Sequence, residues 1–280
     1  MKKMLASVLS LIVIMLILSS CSNSNLSVNE EPFDVKYSFQ SEIENYDAEY
    51  QIVDNTLFGK GQNSFKVFGE DSSQYYNDWV ELASDVVHVD ACSGTVIYLT
   101  DAGQVYGFGL CDGGVLQSED SEDLYENFIS KPVLLFENCK YASIGTRFVV
   151  AIKNDDTLWF WGESLNGQST EIKEKILEPK QIADNVCCAE AFGYTTAWID
   201  KDKSLYLCGD NSFGQIGNGE SGCGFPTMFE DIVTNPYCAL KDCVSFKVID
   251  NETTMTAKTI DGKEYEWGNN NHTIPTVITK

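Results

Sequence analysis

The sequence predicts an all-β protein, and three observations carry that prediction. One segment recurs five times, as NTLFGKG, GQVYGFG, DTLWFWG, KSLYLCG and GKEYEWG, closing on Gly61, Gly109, Gly162, Gly209 and Gly268. Between fifteen and seventeen residues before each of those glycines stands a turn-prone residue: Asn45, Gly94, Gly145, Gly193 and Asn251. Glycine and asparagine tolerate positive φ, so one backbone conformation can serve all five places. After the glycines, Pro132, Pro179, Pro226 and Pro275 each open a short apolar segment such as PVLLF or PTVI, as proline does at a strand start or on an edge. A unit repeated at this period that cannot bury its own faces must stack on its copies, which predicts a β-propeller of about five blades.

The elements follow in order. The start, MKKMLASVLSLIVIMLILSSC, has the basic, apolar and small-residue regions of a secretion signal. Its apolar run is shorter than the ~20 residues of a membrane-spanning helix. Leu18-Ser19-Ser20-Cys21 resembles the lipobox of bacterial lipoproteins, which implies a signal peptide over residues 1–20 and lipidation of the Cys21 thiol. Residues 21–31 read as a polar, flexible tether and residues 32–280 as the propeller domain. Inside that domain lie hairpins: TVIYLT then DAG, FVVAIK then NDD, TTAWID then KDK, TMTAKTI then DG. In the middle copies their strands are apolar on both alternating faces, as in a sheet sandwiched between two others. The C-terminal IPTVITK has no hairpin after it, and the first repeat has no proline segment before it. The expected closure therefore places Ile274–Thr279 in one blade with strands from Phe33–Gly61, which would remove a free sheet edge.

The fourth copy, LYLCGDNSFGQIGNG with AFGYTTAWIDKDK before it, resembles the repeat of the regulator of chromosome condensation propeller family. LWFWGESLNGQ and GQNSFKVFG resemble it too, with Asn63, Ser64, Phe65 and Gly69 matching Asn211, Ser212, Phe213 and Gly217. The resemblance spans roughly Asn45 to Ile278. It implies a ring of blades, seven in familiar members, so five repeats mean a smaller ring or further degenerate blades. The second copy departs from the pattern, with GLCDGGVLQ where asparagine and glutamine are expected. The family includes nucleotide-exchange factors for a nuclear GTPase, a partner that an exported chain does not meet; fold does not carry function with it.

Composition narrows the partner. The formal charge of −23 and a single arginine, Arg147, argue against phosphate backbones and therefore against nucleic acid. Ten cysteines leave nine after Cys21, an odd number. Adjacent Cys187 and Cys188, and Cys208 at a repeat position that is aromatic in three other copies, read as buried thiols; pairing among Cys223, Cys238 and Cys243 stays open. His88 and His272, the two histidines, have no spacing that makes a triad or a metal site. Asp101, Asp155, Asp202 and Asp261 fall in hairpin turns, where aspartate caps its own backbone. SEDSEDLYE, with Glu119, Asp120, Glu122, Asp123 and Glu126, lacks the order of a calcium loop and reads as a solvated insertion. Tyr75, Tyr76, Trp79, Tyr125 and Phe128 are recognition candidates, with core packing the equal reading for Trp79. No catalytic residue, metal or cofactor is expected. The reading is a lipid-anchored, extracytoplasmic module that binds a protein or glycan through loops on one face; the alternative is an envelope enzyme or cofactor-binding protein using the central channel.

Overall fold

A strand that is apolar on both faces needs cover on both faces, and the arrangement of the blades is the consequence. The computed structural model describes residues 39–43, 46–68, 75–117, 127–222, 231–249, 253–269 and 272–278. Signal, Cys21 and tether lie outside them, as do Asn45, Gly69, the acidic insertion, Cys223, Pro226 and Asn251. Residues Lys36–Lys280 form one compact unit. Blade 1 comprises β1 (Phe39–Ile43), β2 (Tyr46–Val53), β3 (Thr56–Gln62) and β4 (Tyr75–Ala83). Blade 2 comprises β5 (Val86–Cys92), β6 (Thr95–Thr100), β7 (Val105–Leu110) and β8 (Phe128–Phe136). Blade 3 has β9 (Cys139–Gly145), β10 (Phe148–Lys153), β11 (Leu158–Ser164) and β12 (Lys173–Ala183). Blade 4 has β13 (Val186–Phe192), β14 (Thr195–Asp200), β15 (Leu205–Asp210) and β16 (Ile232–Leu240). Blade 5 has β17 (Cys243–Ile249), β18 (Thr254–Thr259), β19 (Glu264–Gly268) and β20 (His272–Val277). Each blade is a four-stranded antiparallel meander in chain order.

Four apolar clusters fill the four junctions between consecutive blades. Strand β6 shows the logic: Val96 and Tyr98 pack toward blade 1, while Ile97 and Leu99 pack toward blade 3. All six of its residues are buried. Each large apolar side chain so covered contributes about 2 kcal/mol. A backbone latch repeats at every junction. The first residue of the inner strand donates to the preceding blade's hairpin turn: Val86 N to Asn55 O, Cys139 N to Gly103 O, Val186 N to Asp156 O, Cys243 N to Lys203 O, at 2.8–2.9 Å. Those four turn residues all have positive φ.

The five repeat glycines also take positive φ, between 96° and 120°. A Cβ on Gly109, Gly162, Gly209 or Gly268 would meet a backbone oxygen at 2.2–2.5 Å, namely that of Gly94, Arg147, Tyr194 or Thr253. The residue after each glycine donates its N–H to that same oxygen. The upstream register is therefore fifteen residues in every one of these blades. Arg147 (φ 65°), not Gly145, is the counterpart of Gly94.

The expected closure of the ring by the two chain ends is overturned. Strand β20 pairs with β19, through Tyr265 with Val277 and Glu266 with Thr276, and blade 1 draws its fourth strand from Tyr75–Ala83. After its loop the chain returns antiparallel to the strand it has just left, so each fourth strand completes its own blade. In blade 1 that strand merely lacks a proline. Pro132, Pro179 and Pro275 lie within β8, β12 and β20 rather than at their starts, on the outermost strand, where a missing N–H costs no ladder bond.

Candidate functional site

The loops that follow the repeat glycines gather at one end of the blades, and a recurring local device holds them. In blades 1, 3 and 4 a side-chain oxygen accepts the N–H five residues on: Asn63 from Phe68 at 2.8 Å, Ser164 from Ser169 at 3.0 Å, Asn211 from Ile216 at 3.0 Å. In blades 2, 3 and 4 a side chain from the following blade pins the loop from the side. Trp161 Nε1 donates to Val115 O and Trp267 Nε1 to Gln215 O, both at 2.9 Å, and the Cys208 thiol donates to Gln168 O at 3.4 Å. Cys208 thus does at an aromatic position what the two tryptophans do at theirs.

On this frame stands the charged cluster of the loop face. Arg147, at the tip of the β9–β10 turn, donates from Nε to Asp112 at 2.7 Å and from Nη1 to Glu163 at 3.3 Å. Gly113 permits that approach, since its Cβ would meet the Arg147 Cβ at 2.7 Å. Partial burial works against the Arg147 charge, but Asp112, Glu163 and Tyr194 outweigh it and hold its pKa above the ordinary value. Burial raises the Tyr194 phenol, and Arg147 draws it partway back. Between blades 1 and 2 lies a small pocket lined by Tyr50, Gln62, Phe65, Cys92, Ser93 and Gly94, and its Cys92 is near enough to Tyr194 to raise that phenol further.

One detail separates blade 3 from blade 4. Gln168 and Gln215 hold the same place, each accepting a backbone N–H two residues before it, from Asn166 and from Phe213. Gln215 Nε2 then donates to Asp210 at 2.8 Å. Glu163 is the counterpart of Asp210, but it turns to Arg147, and Gln168 Nε2 is buried with no hydrogen-bond partner.

The inner strands carry a second polar set that joins blades. Asp90 accepts from Ser143 Oγ and from Ile144 N, both at 3.0 Å, and Ser143 Oγ accepts from Ala191 N at 3.1 Å. His88 Nε2 donates to Ala142 O at 2.8 Å and its ring lies 5.0 Å from that of Tyr141. Burial pushes its pKa down to about 4, against the opposing pull of the Ala142 carbonyl. These groups serve the blade junctions.

The sequence candidates distribute as follows. His272 is exposed on β20. Asp155 caps its turn by accepting from Thr157, and Asp261 accepts from Lys263 N and Thr259 Oγ1. Trp79 is on an outer strand, 37% exposed, with Lys60 Nζ 4.7 Å from its ring centre, so it is not a core residue. Tyr75 is exposed, while Tyr76 packs on Phe68. Phe128 meets Phe65 across the blade 1 and 2 loops. Cys238 and Cys243 remain thiols. Burial lifts the thiols of Cys139, Cys188 and Cys208 to about 12. Among the described residues no group of three acidic, histidine or cysteine side chains is placed to hold a metal. Asp112, Glu163, Tyr194 and Gln168 were not singled out from sequence, and Arg147 only as the lone arginine.

No protein-family model matches the chain. The E3 ubiquitin-protein ligase HERC2 of Mus musculus is 27% identical over 202 residues, 66% of this chain and 4% of that protein. The human regulator of chromosome condensation is 27% identical over 144 residues, 49% of this chain and 34% of that protein. The chain thus corresponds to a minor part of either relative. Among solved structures, Prp20p of Saccharomyces cerevisiae has a TM-score of 0.67 at 17% identity, covering 83% of this chain and 61% of that one. Human WBSCR16 has a TM-score of 0.63 at 18% identity, with coverages of 83% and 65%. The chain is an all-β protein with a propeller fold like that of the regulator of chromosome condensation.

Proposed function

We propose that this chain is a non-catalytic binding module, held outside the cytoplasm by a lipid on Cys21, whose loop face takes a protein partner. One observation carries the reading: a rigid, repeatedly pinned scaffold presents irregular loops on which Asp112, Arg147, Glu163 and Tyr194 gather, with Cys92 linking Tyr194 to a pocket containing Tyr50 and Phe65. Functional groups on loops set by a rigid frame, with arginine and aromatic anchors, are the usual composition of a protein-binding face. Structures of Prp20p come with reports of binding to Gsp1p and histones, and of a complex with Kap60, so this architecture is used for protein partners elsewhere.

The test immobilises residues 22–280 and captures surface proteins, with an Asp112→Ala, Arg147→Ala variant alongside. A saturable partner kept by the wild type and lost by the variant supports the reading. A glycan partner, or a protein retained equally by both, refutes it. Metabolic labelling with a palmitate analogue tests the anchor: label on the wild type and none on Cys21→Ser is expected, and equal label on both rejects it.

A further inference from the structure

Every interior junction between blades is closed by cross-strand apolar pairs in matching register. On the faces turned toward the next blade these are Ile52 with Leu57, Leu99 with Val105, Ile152 with Leu158 and Ile199 with Leu205. At the same register in blade 5, Lys258 faces Glu264. The neighbouring position repeats the change: Glu266 stands where blades 3 and 4 bury Phe160 and Leu207 completely.

The opposite face of blade 1 shows the same substitution. Toward the preceding blade, the interior pairs are Val96 with Phe108, Val149 with Trp161, Thr196 with Cys208 and Met255 with Trp267, all buried. In blade 1 Glu49 faces Lys60, and the two form an ion pair at 3.0 Å. Lys60 occupies the position from which Trp161, Cys208 and Trp267 reach the preceding blade's loop. Instead its ammonium turns to Glu49 and to the Trp79 ring.

Exposure agrees with the chemistry. Lys258 is exposed, and Glu49, Lys60, Glu264 and Glu266 are all partly exposed, whereas their counterparts in blades 2, 3 and 4 are buried. The four apolar clusters lie at the four interior junctions, and none among the described residues joins blade 5 to blade 1. A lysine and a glutamate opposite one another on a solvated sheet face support that face, but covering them with another blade takes both charges out of water. Repeat stacks need such polar-faced terminal units to stay soluble.

We propose that blades 1 and 5 are end caps: the pairs Glu49–Lys60 and Lys258–Glu264 keep the outward faces in water, so the five blades neither close on one another nor add blades from a second copy. The test uses the chain as proposed above, lipidated on Cys21, in mild detergent. Sedimentation velocity with detergent density matching is expected to give a monomer for the wild type and for the charge-exchanged Glu49→Lys, Lys60→Glu variant. The variant carrying blade 2's pairs at both ends (Glu49→Val, Lys60→Phe, Lys258→Leu, Glu264→Val) is expected to shift to dimers and larger head-to-tail species. A wild type that self-associates and is released by the Glu49→Lys, Lys60→Glu exchange overturns the proposal, as does a folded apolar variant that stays monomeric. If the apolar variant fails to fold, amine labelling of the wild type decides. Lys60 and Lys258 reacting as fast as exposed Lys201 is the expected result, and strong protection of both refutes it.

Discussion

Acidification offers a direct test of how the blades are joined, through His88. In the folded chain its pKa is about 4, because burial disfavours the imidazolium, while the unfolded chain restores the ordinary 6.5. Between those values the unfolded state binds the extra proton, so stability is fully present above pH 6.5 and drains away as pH falls toward 4. The gap corresponds to about 3 kcal/mol in full, of which about 2 kcal/mol is lost by pH 5. Urea midpoints from pH 7.5 to 4.5 would measure it on residues 22–280. Many carboxylates also titrate toward the low end, so the readout is the difference between wild type and His88→Gln, which keeps a donor for the Ala142 carbonyl but cannot protonate. The wild type should lose about 2 kcal/mol more than the variant between pH 7 and pH 5. Equal pH slopes, or a folded-state His88 resonance titrating near 6.5 once His272 has been assigned by substitution, would falsify the argument.

Three further outcomes follow from the same contacts. Gly162→Ala forces a Cβ to within 2.5 Å of Arg147 O at φ 107°, and should cost about 3 kcal/mol by chemical denaturation; a loss within ordinary surface scatter would show that the turn relaxes freely. Trp161→Phe keeps most of the packing but removes the bond to Val115 O, so about 1–3 kcal/mol should be lost and amide exchange should quicken around Val115 and Leu116. Gln168→Leu should cost about 1–3 kcal/mol in the wild type, because the buried Asn166 N–H loses its Oε1 acceptor while Nε2 has no partner to lose. In an Arg147→Met background the same change should cost about 1 kcal/mol more than in the wild type, because Glu163 is then released to accept from Gln168 as Asp210 accepts from Gln215. Additive effects of the two substitutions would refute that competition.

What could be read in one dimension was whatever the backbone demands locally and repeatedly. A glycine forced to φ near 100° against a carbonyl oxygen cannot be replaced cheaply, so Gly109, Gly162, Gly209 and Gly268, with Gly61 at the same φ, mark the blades in the bare sequence. Strands apolar on both faces announced the sandwiching of sheets, and Asp155 and Asp261 at hairpin tips announced their own capping role. The resemblance in the fourth copy pointed to the right propeller architecture because its asparagine and glutamine hold the loop through bonds spanning only a few residues.

Other features depended on partners distant along the chain, and only packing could decide them. Proline-bearing segments look alike whether they start a blade or end one; the hydrogen bonds of β20 to β19 made them fourth strands. Arg147, at the turn position that is Gly94 in blade 2, has its side chain held by Asp112, from another blade, and by Glu163. Trp79 looked equally suited to a core and to a surface, and a lysine from the adjacent strand placed it outside. Local sterics and alternation determined the repeat, the strands and the propeller class. Which charges meet, which thiols are buried and which blade faces meet water were decided by the tertiary structure, because burial and electrostatic pairing are properties of neighbours in space.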